Sequence, residues 1–520
     1  MPQPKWYGKS LSALCMENIV NNMEKWTALR SSEHVSILFY LLPSHCLEYM
    51  TECLLENYSI TEDMFDLLLS QHVKVLDLSQ LGTGHDAERN LRIVRLASDR
   101  CLQLTTLKIH DGWGSFFNEN RNFEVKETLA SILQRFEHLQ ILDLSSTIYG
   151  ASCMINLGLT GKPKLRELQV NSCPDVTDSV MQVFCNGQSS LQKLSVRGTE
   201  VTLIGIRFAI EHLPELKELD CHIESDILQI FRGIRNDNRE SKKYSLAKLI
   251  MLNRMWNVPD KVPYEKGSVS LMVDMCPSLV DLFIHVDDEG FTNEELLGFR
   301  QLQQLKYLDI RKWSSISIRG GVIPLLQARG HTLEMLFLSI QVKSEEVFLI
   351  IESCPNIRCL SLLIESSDLE TPEPVVDDRV HSSLCSPKEV FPLRMLEEIS
   401  LFTYFSYAIS RKLLLLLLSS LTITDISIYD CLTLDDQIIE EACTKNSFKY
   451  LTRLWLRGCS NVSQKGIDFF LNEANPLSII SLKGCGNVNP ERMRTMAQEK
   501  HWNSVKITVE DYEDYERYED

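Results

Sequence analysis

The chain has 520 residues, a formal net charge of −18 and 44% apolar residues. That acidity disfavours nucleic acid, whose binding is dominated by phosphate neutralisation, and no apolar run approaches the roughly 20 residues that a membrane-spanning helix needs. Sixteen cysteines with no C-x-x-C pair and no secretory signal lead us to expect reduced thiols in a cytoplasmic or nuclear protein. Residues 1–70 read as helical. Ser10–Trp26 carries Leu11, Leu14, Cys15, Ile19, Met23 and Trp26 at helical spacing, with Ser10 as N-cap. A second helix is expected from Ser32 to Leu42. Pro43 breaks it and Ser44 opens a third through Cys46, Leu47, Met50, Cys53 and Leu54. Thr61-Glu62-Asp63 begins a fourth, Met64–Ser70.

From residue 71 a unit recurs. In Lys164–Asp178, Leu165, Leu168 and Val170 give L-x-x-L-x-L, Cys173 follows, and Val176-Thr177-Asp178 opens a helix. The central apolar residue of each copy falls at Leu76, Leu107, Leu142, Leu168, Leu194, Leu219, Leu249, Leu282, Leu308, Leu336, Leu360, Ile399, Ile426, Leu454 and Ile480. The commonest spacing is near 26 residues, within the range for one strand and one helix per unit. The Leu249 copy is the weakest. Cys173, Cys431, Cys459 and Cys485 share one place in the unit, and Cys101, Cys276 and Cys354 share another. They read as small buried residues. The clearest copies, CPDVTD, CLTLDD, CSNVSQKG and CGNVNPER, resemble the cysteine-containing leucine-rich repeats of F-box/LRR and related ubiquitin-ligase substrate receptors. The expected fold is therefore α/β, a leucine-rich-repeat solenoid or horseshoe of about fifteen repeats behind an N-terminal helical module. Its boundaries are 1–70 for the module, 71–508 for the repeats and 509–520 for an acidic tail. Gly233–Lys243 reads as a polar loop. An insertion at 365–388, rich in Ser, Pro and acid, reads as a surface loop. Leu413–Leu418 reads as a buried repeat helix.

The first seventy residues must in part cover the end of the solenoid core. They also carry two short patterns. Ser10-Leu11-x-x-x-Cys15-x-x-x-Ile19 is similar to an elongin-binding BC box. Leu42-Pro43-x-x-Cys46-x-x-x-Met50 is similar to a cullin-2 box. The two patterns in this order, ahead of leucine-rich repeats, resemble the zyg-eleven and zer-one family of cullin-2 substrate receptors. The resemblance implies elongin B/C and cullin-2 as partners, with Leu11, Cys15, Ile19, Leu42, Pro43, Cys46 and Met50 as adaptor contacts. That family's C-terminal armadillo-like region has no counterpart here, so its substrate class does not carry over. The LPSHCLEYM stretch also fits the start of an F-box, which would bring Skp1 and cullin-1 instead. A plain cap on a non-degradative scaffold is the third reading.

Strand side chains alternate, so residues just before, just after and three after each marker should face the concave side. In the first seven repeats these are mostly small, polar or charged, among them Asp77, Lys108, His110, Asp143, Glu167, Lys193, Arg197, Asp220 and His222. From the eighth onward they include Phe283, Tyr307, Phe337, Phe402, Tyr429 and Trp455, joined by Met335 and Leu363, with Arg311 and Arg457 among them. Aromatic residues and arginine anchor protein interfaces, so these positions are the candidate client-binding residues. The competing reading is a stacked aromatic ladder that stabilises the sheet. No phosphate-binding loop, nucleophile elbow, H-E-x-x-H or paired-cysteine zinc motif is present. The expectation is a binding protein with no catalytic residue, metal or cofactor, acting as the recognition subunit of a ubiquitin ligase.

Overall fold

The computed structural model describes residues 10–56, 60–81, 87–110, 128–221, 227–237, 242–253, 264–286, 288–311, 315–365, 393–403, 409–471, 476–485, 488–499 and 506–510. The insertion beyond Glu365, most of the acidic tail and His222 lie outside them. The chain divides into two compact units, Met1–Lys248 and Leu249–Asp520.

The repeat marker is the organising residue of both. In the first unit, β1 (Val75–Asp77), β2 (Thr106–Lys108), β3 (Ile141–Asp143), β4 (Glu167–Gln169), β5 (Lys193–Ser195) and β6 (Glu218–Asp220) run parallel in sequence order. Every pairing places marker on marker, from Leu76 against Leu107 to Leu194 against Leu219. In β4 the marker Leu168 and Val170, two beyond it, enter the core, while Glu167, Gln169 and Asn171 stay half-buried at the surface. That alternation is what period-two patterning buries on one face of a strand.

The second unit repeats the arrangement. Here β8 (Asp281–Val286), β9 (Tyr307–Arg311), β10 (Met335–Val342), β11 (Cys359–Ile364), β12 (Glu398–Thr403), β13 (Asp425–Tyr429), β14 (Arg453–Arg457), β15 (Ile479–Lys483) and β16 (Lys506–Glu510) pair in parallel, again marker on marker. A bulge in β10 sets Gln341 rather than Ser339 beside Leu363. Three expectations change. β16 pairs with β15 through Glu510, so the repeat ladder runs two residues into the stretch read as acidic tail. The weak Leu249 copy forms a six-residue strand, β7 (Lys248–Asn253), with Leu249 buried and Lys248 paired to Glu218. Gly233–Asp237 belongs to the helix Ile227–Asp237 rather than to a loop. Burial of Leu228, Ile230, Phe231 and Ile234 carries the polar end along, and Asp237 pairs with Arg207 at 2.6 Å.

Successive repeats are clamped through their helix starts. Asp178 accepts from the backbone N–H groups of Thr202 and Gly205, at 2.8 and 3.0 Å, and Asp436 does the same for Ser463 and Gly466, at 2.8 and 3.1 Å. A carboxylate at the next helix's N-terminus satisfies its orphan donors and complements its dipole. The carboxylate comes so close that a Cβ on Gly205 would lie 2.5 Å from Asp178 Oδ1, and one on Gly466 2.4 Å from Asp436 Oδ1. The recurrent cysteines Cys101, Cys173, Cys276, Cys354, Cys431, Cys459 and Cys485 are all buried. Cys173 donates to the Leu144 carbonyl at 3.0 Å. Leu413, Leu414 and Leu417 are buried in the helix Arg411–Leu417.

Among the described residues five helices precede β1: α1 (Leu11–Asn21), α2 (Met23–Ala28), α3 (Glu33–Tyr40), α4 (Ser44–Glu56) and α5 (Glu62–Leu68). The expected single helix over Ser10–Trp26 breaks at Asn22. Its side chain donates back to the Asn18 carbonyl at 2.9 Å and closes α1, and local bonding of this kind competes with helix propagation. Met23, Phe39, Leu47, Met50, Leu54 and Phe65 form the module's core. Glu48 accepts from the N–H groups of Lys74 and Val75, at 3.0 and 3.1 Å, which satisfies donors at the start of the first strand. This is what a solenoid cap must do.

Candidate functional site

Two surfaces gather the candidate residues, one in each unit. The first is on the helical module. Ser10 starts α1 by accepting from Ala13 N–H at 3.1 Å. The inner face of α1 is fixed by buried Val20 and by Glu17, which accepts from Tyr49 Oη on α4 at 2.9 Å. That bond raises the Tyr49 hydroxyl pKa well above its ordinary value. The outer face carries Leu11, 77% exposed, and Leu14, 50% exposed, with Cys15 exposed and Ile19 half-buried. Leu11, Cys15 and Ile19 therefore form one stripe open to solvent.

Of the second pattern, Pro43 is exposed, while Leu42 and Cys46 are half-buried. Cys46 Sγ lies 3.4 Å from His45 Nε2. Met50 is a correction. It is 0% exposed, because the face of α4 bearing Leu47, Met50 and Leu54 is the one turned into the module core, so it packs the cap and cannot touch an adaptor. Sequence reading also missed Ile37, Leu38 and Leu41 at the end of α3, which are 52%, 58% and 67% exposed. The sequence marks a helix here, and nothing local says which face of α3 turns outward.

The second surface is the open face of the sheet in the second unit. The register places Phe283, Phe337 and Trp455 just after their markers, Tyr307 just before, and Arg311, Phe402, Tyr429 and Arg457 three after. All eight predicted client contacts lie on this one face. They sort into two aromatic groups. Phe283 and Tyr307 sit 4.4 Å apart between ring centroids, and Tyr307 and Phe337 5.2 Å. Phe402 stacks on Tyr429 at 4.5 Å, with planes 9° apart. Phe402 and Trp455 keep 38% and 41% of their surface exposed, and Met335 keeps 40%. Leu363, expected among them, is nearly buried beneath its neighbours. Burial, with Asp309 nearby, pushes the Tyr307 hydroxyl up to about 12. Arg311 is held by Asp309, at 3.1 Å. Its carboxylate is almost wholly buried. Phe402 is thus part of both the stacked pairs and the exposed surface.

The open face of the first unit is different in kind. Lys108 pairs with Asp77 at 2.8 Å, Lys193 with Glu167 at 3.2 Å and Arg197 with Asp220 at 2.6 Å. His110 Nε2 lies 3.3 Å from Asp143 Oδ2. Burial alone would raise the Asp77 and Asp143 carboxyls. Lys108 and Ser79 outweigh it for the first, and His110 and Ser145 for the second, so both stay below the usual carboxylate range.

Among the described residues no cluster of three or more His, Cys, Asp or Glu side chains is placed to hold a metal ion. Burial pushes the thiols of Cys101, Cys276 and Cys354 up to about 12, the range of inert structural cysteines. No described helix is long and apolar enough to cross a membrane.

No protein-family model matches the chain. No curated protein matches it either. Among solved structures it is similar to the complex of Rad7 and Elc1 in yeast, at 13% identity and a TM-score of 0.46, over 88% of this chain and 96% of that one. It is also similar to a complex of TLR13 with ssRNA13, at 13% identity and a TM-score of 0.33, over 88% of this chain and 63% of that one. The marker-on-marker parallel ladder, with a helix between strands in most repeats, is itself that of an α/β leucine-rich-repeat solenoid.

Proposed function

We propose that the protein is a substrate-recognition subunit of a multisubunit ubiquitin ligase. The helical module docks on elongin B/C and cullin-2, and the open face of the second unit holds a client protein. One observation carries the reading. A module that needed only to cap the solenoid would bury its apolar residues, yet α1 leaves Leu11 and Leu14 at 77% and 50% exposure on the stripe that also bears Cys15. An apolar helix stripe rimmed by polar residues is suited to insertion in a partner's groove. Catalysis would then be by proximity, the client held at high effective concentration near a ubiquitin-charged enzyme, with no chemistry from this chain's own side chains.

The test is co-expression with elongin B/C and cullin-2 or, separately, with Skp1, followed by pull-down. The comparison is Leu11→Ser with Cys15→Ser, which changes only side chains on the outer face of α1. Elongin B/C and cullin-2 retained by the natural chain and lost by the variant is the expected result. Capture of Skp1 instead transfers the reading to the F-box class. Capture of neither leaves a cap on a scaffold.

A further inference from the structure

Between the two aromatic groups of the second unit lies a gap. The positions just after the markers read Phe337 on β10, then Ser361, Ser400 and Ser427 on β11, β12 and β13, then Trp455 on β14. Four strand spacings of about 4.8 Å put the two large side chains roughly 19 Å apart, with only hydroxymethyl groups between them. The three serines are half-buried. They form the floor of a slot whose ends are Phe337 and Trp455. One long side of the slot, three residues after the markers, is the stacked pair Phe402 and Tyr429.

The other long side is charged. The positions just before the markers are Cys359, Glu398, Asp425 and Arg453, two carboxylates to one guanidinium. Arg453 Nε is bound to Asp425, and its terminal nitrogen lies 3.6 Å from Glu398 Oε1. The other Glu398 oxygen accepts, among the described residues, from the neutral Cys359 thiol at 3.6 Å. Burial pushes that thiol up to about 12, so it stays protonated. Glu398 keeps 47% of its side chain exposed. This side therefore carries net negative charge at a half-exposed carboxylate.

We infer that this slot is a specificity pocket for an extended client segment presenting a bulky apolar or aromatic side chain beside a lysine or arginine. The bulky group fills the space above Ser361, Ser400 and Ser427 and packs on Phe402 and Tyr429, and the cation pairs with Glu398. Aromatic contact supplies area, the serine hydroxyls leave room and hydrogen-bonding capacity, and the unbalanced carboxylate sets the sign of the partner's charge. An acidic segment is rejected at the same place. The inference rests on the client-binding half of the proposed function and is independent of the adaptor half.

The probe is a pooled library of short synthetic peptides with glycine-serine flanks and a randomised centre, selected on the isolated full chain. Enrichment of aromatic or long aliphatic residues next to Lys or Arg is the expected result. Ser400→Trp fills the slot without touching Phe402, Tyr429 or Glu398, and should weaken the selected peptides by about tenfold or more. Ser427→Trp does the same from the next strand, should the first variant fail to fold. Glu398→Gln should keep the bulky preference and lose the cationic one. No enrichment, enrichment of acidic peptides, or selected peptides that bind a folded Ser400→Trp chain unchanged would overturn the slot. Because peptide selection needs no adaptor and adaptor capture needs no client, failure of one leaves the other standing.

Discussion

Each unit is built on a buried column of markers, and the two differ in what that column turns outward. In the first, the open face is a ladder of acids and bases that satisfy one another, Asp77 with Lys108, Glu167 with Lys193, Asp220 with Arg197. A partner landing there would have to strip water from groups already paired, for exposed ion pairs worth only about 0–1 kcal/mol each. In the second, aromatic residues hold the equivalent positions, and a partner gains apolar area without breaking anything. One scaffold thus yields a face that is finished and a face that is available.

The sharpest way to break that comparison is Phe337→Ala with Tyr429→Ala and Trp455→Ala. If the second face serves a client, capture should fall by roughly two orders of magnitude or more, as when several anchors are lost together. Melting should fall only modestly, by the loss of the Tyr307–Phe337 and Phe402–Tyr429 stacks, since none of the three is a marker. Client capture that survives while the melting temperature drops would make the aromatic residues a stabilising ladder and nothing else.

A smaller effect separates the ladder's own contribution. Phe402 and Tyr429 stack face to face on adjacent strands. A double-mutant cycle to leucine at both positions should show a coupling of about 0.5–1.5 kcal/mol. The equivalent cycle on Arg197 and Asp220 in the first unit should give less than about 1 kcal/mol and should shrink with salt. A coupling near zero between the two rings would mean that the pair is held for a partner rather than for the sheet.

Much of this was legible in the chain. All fifteen markers read from L-x-x-L-x-L spacing sit in a strand and are buried, because the marker must be apolar to fill the solenoid and nothing else at that spacing is constrained so tightly. The outward aromatic residues followed from alternation alone. What local pattern could not reach was which way a helix turns once it packs. Leu11 opens one motif and Met50 closes the other, both as apolar helix positions, yet Met50 is sealed in the core and Leu11 is the most exposed large apolar residue of the described chain. Ile37, Leu38 and Leu41 were invisible for the same reason. The sixteenth strand was hidden by composition, since Val509 and Glu510 open an acidic run that reads as solvated tail until Ile480 and Leu482 offer β16 an edge to pair with. The serine floor, by contrast, could have been found, because Ser361, Ser400, Ser427 and Ser481 all fall just after a marker.

The smallest effect belongs to the first face and tests whether it is as self-contained as its pairs indicate. His110 is raised above its ordinary value of 6.5, first by its contact with Asp143 and further by Asp77, against burial and the repulsion of Lys108. A folded-state value above the unfolded one means that the charged imidazole stabilises the fold. That stabilisation is fully present below about pH 6.5 and disappears as the pH climbs through the higher folded value. The low value of Asp143 works from the other side, adding stability above its ordinary titration range that is lost in acid as the pH falls through its folded value. The first unit should therefore lose a small part of its unfolding free energy just above pH 6.5, in hydrogen exchange resolved to β2 and β3, and His110→Gln should flatten that slope. The His110 ring should also titrate above 6.5 by NMR in the natural chain and return toward 6.5 in Asp143→Asn. A ring that titrates at or below 6.5 would mean that burial outweighs Asp143, and that the first face is held together by its lysine and arginine pairs alone.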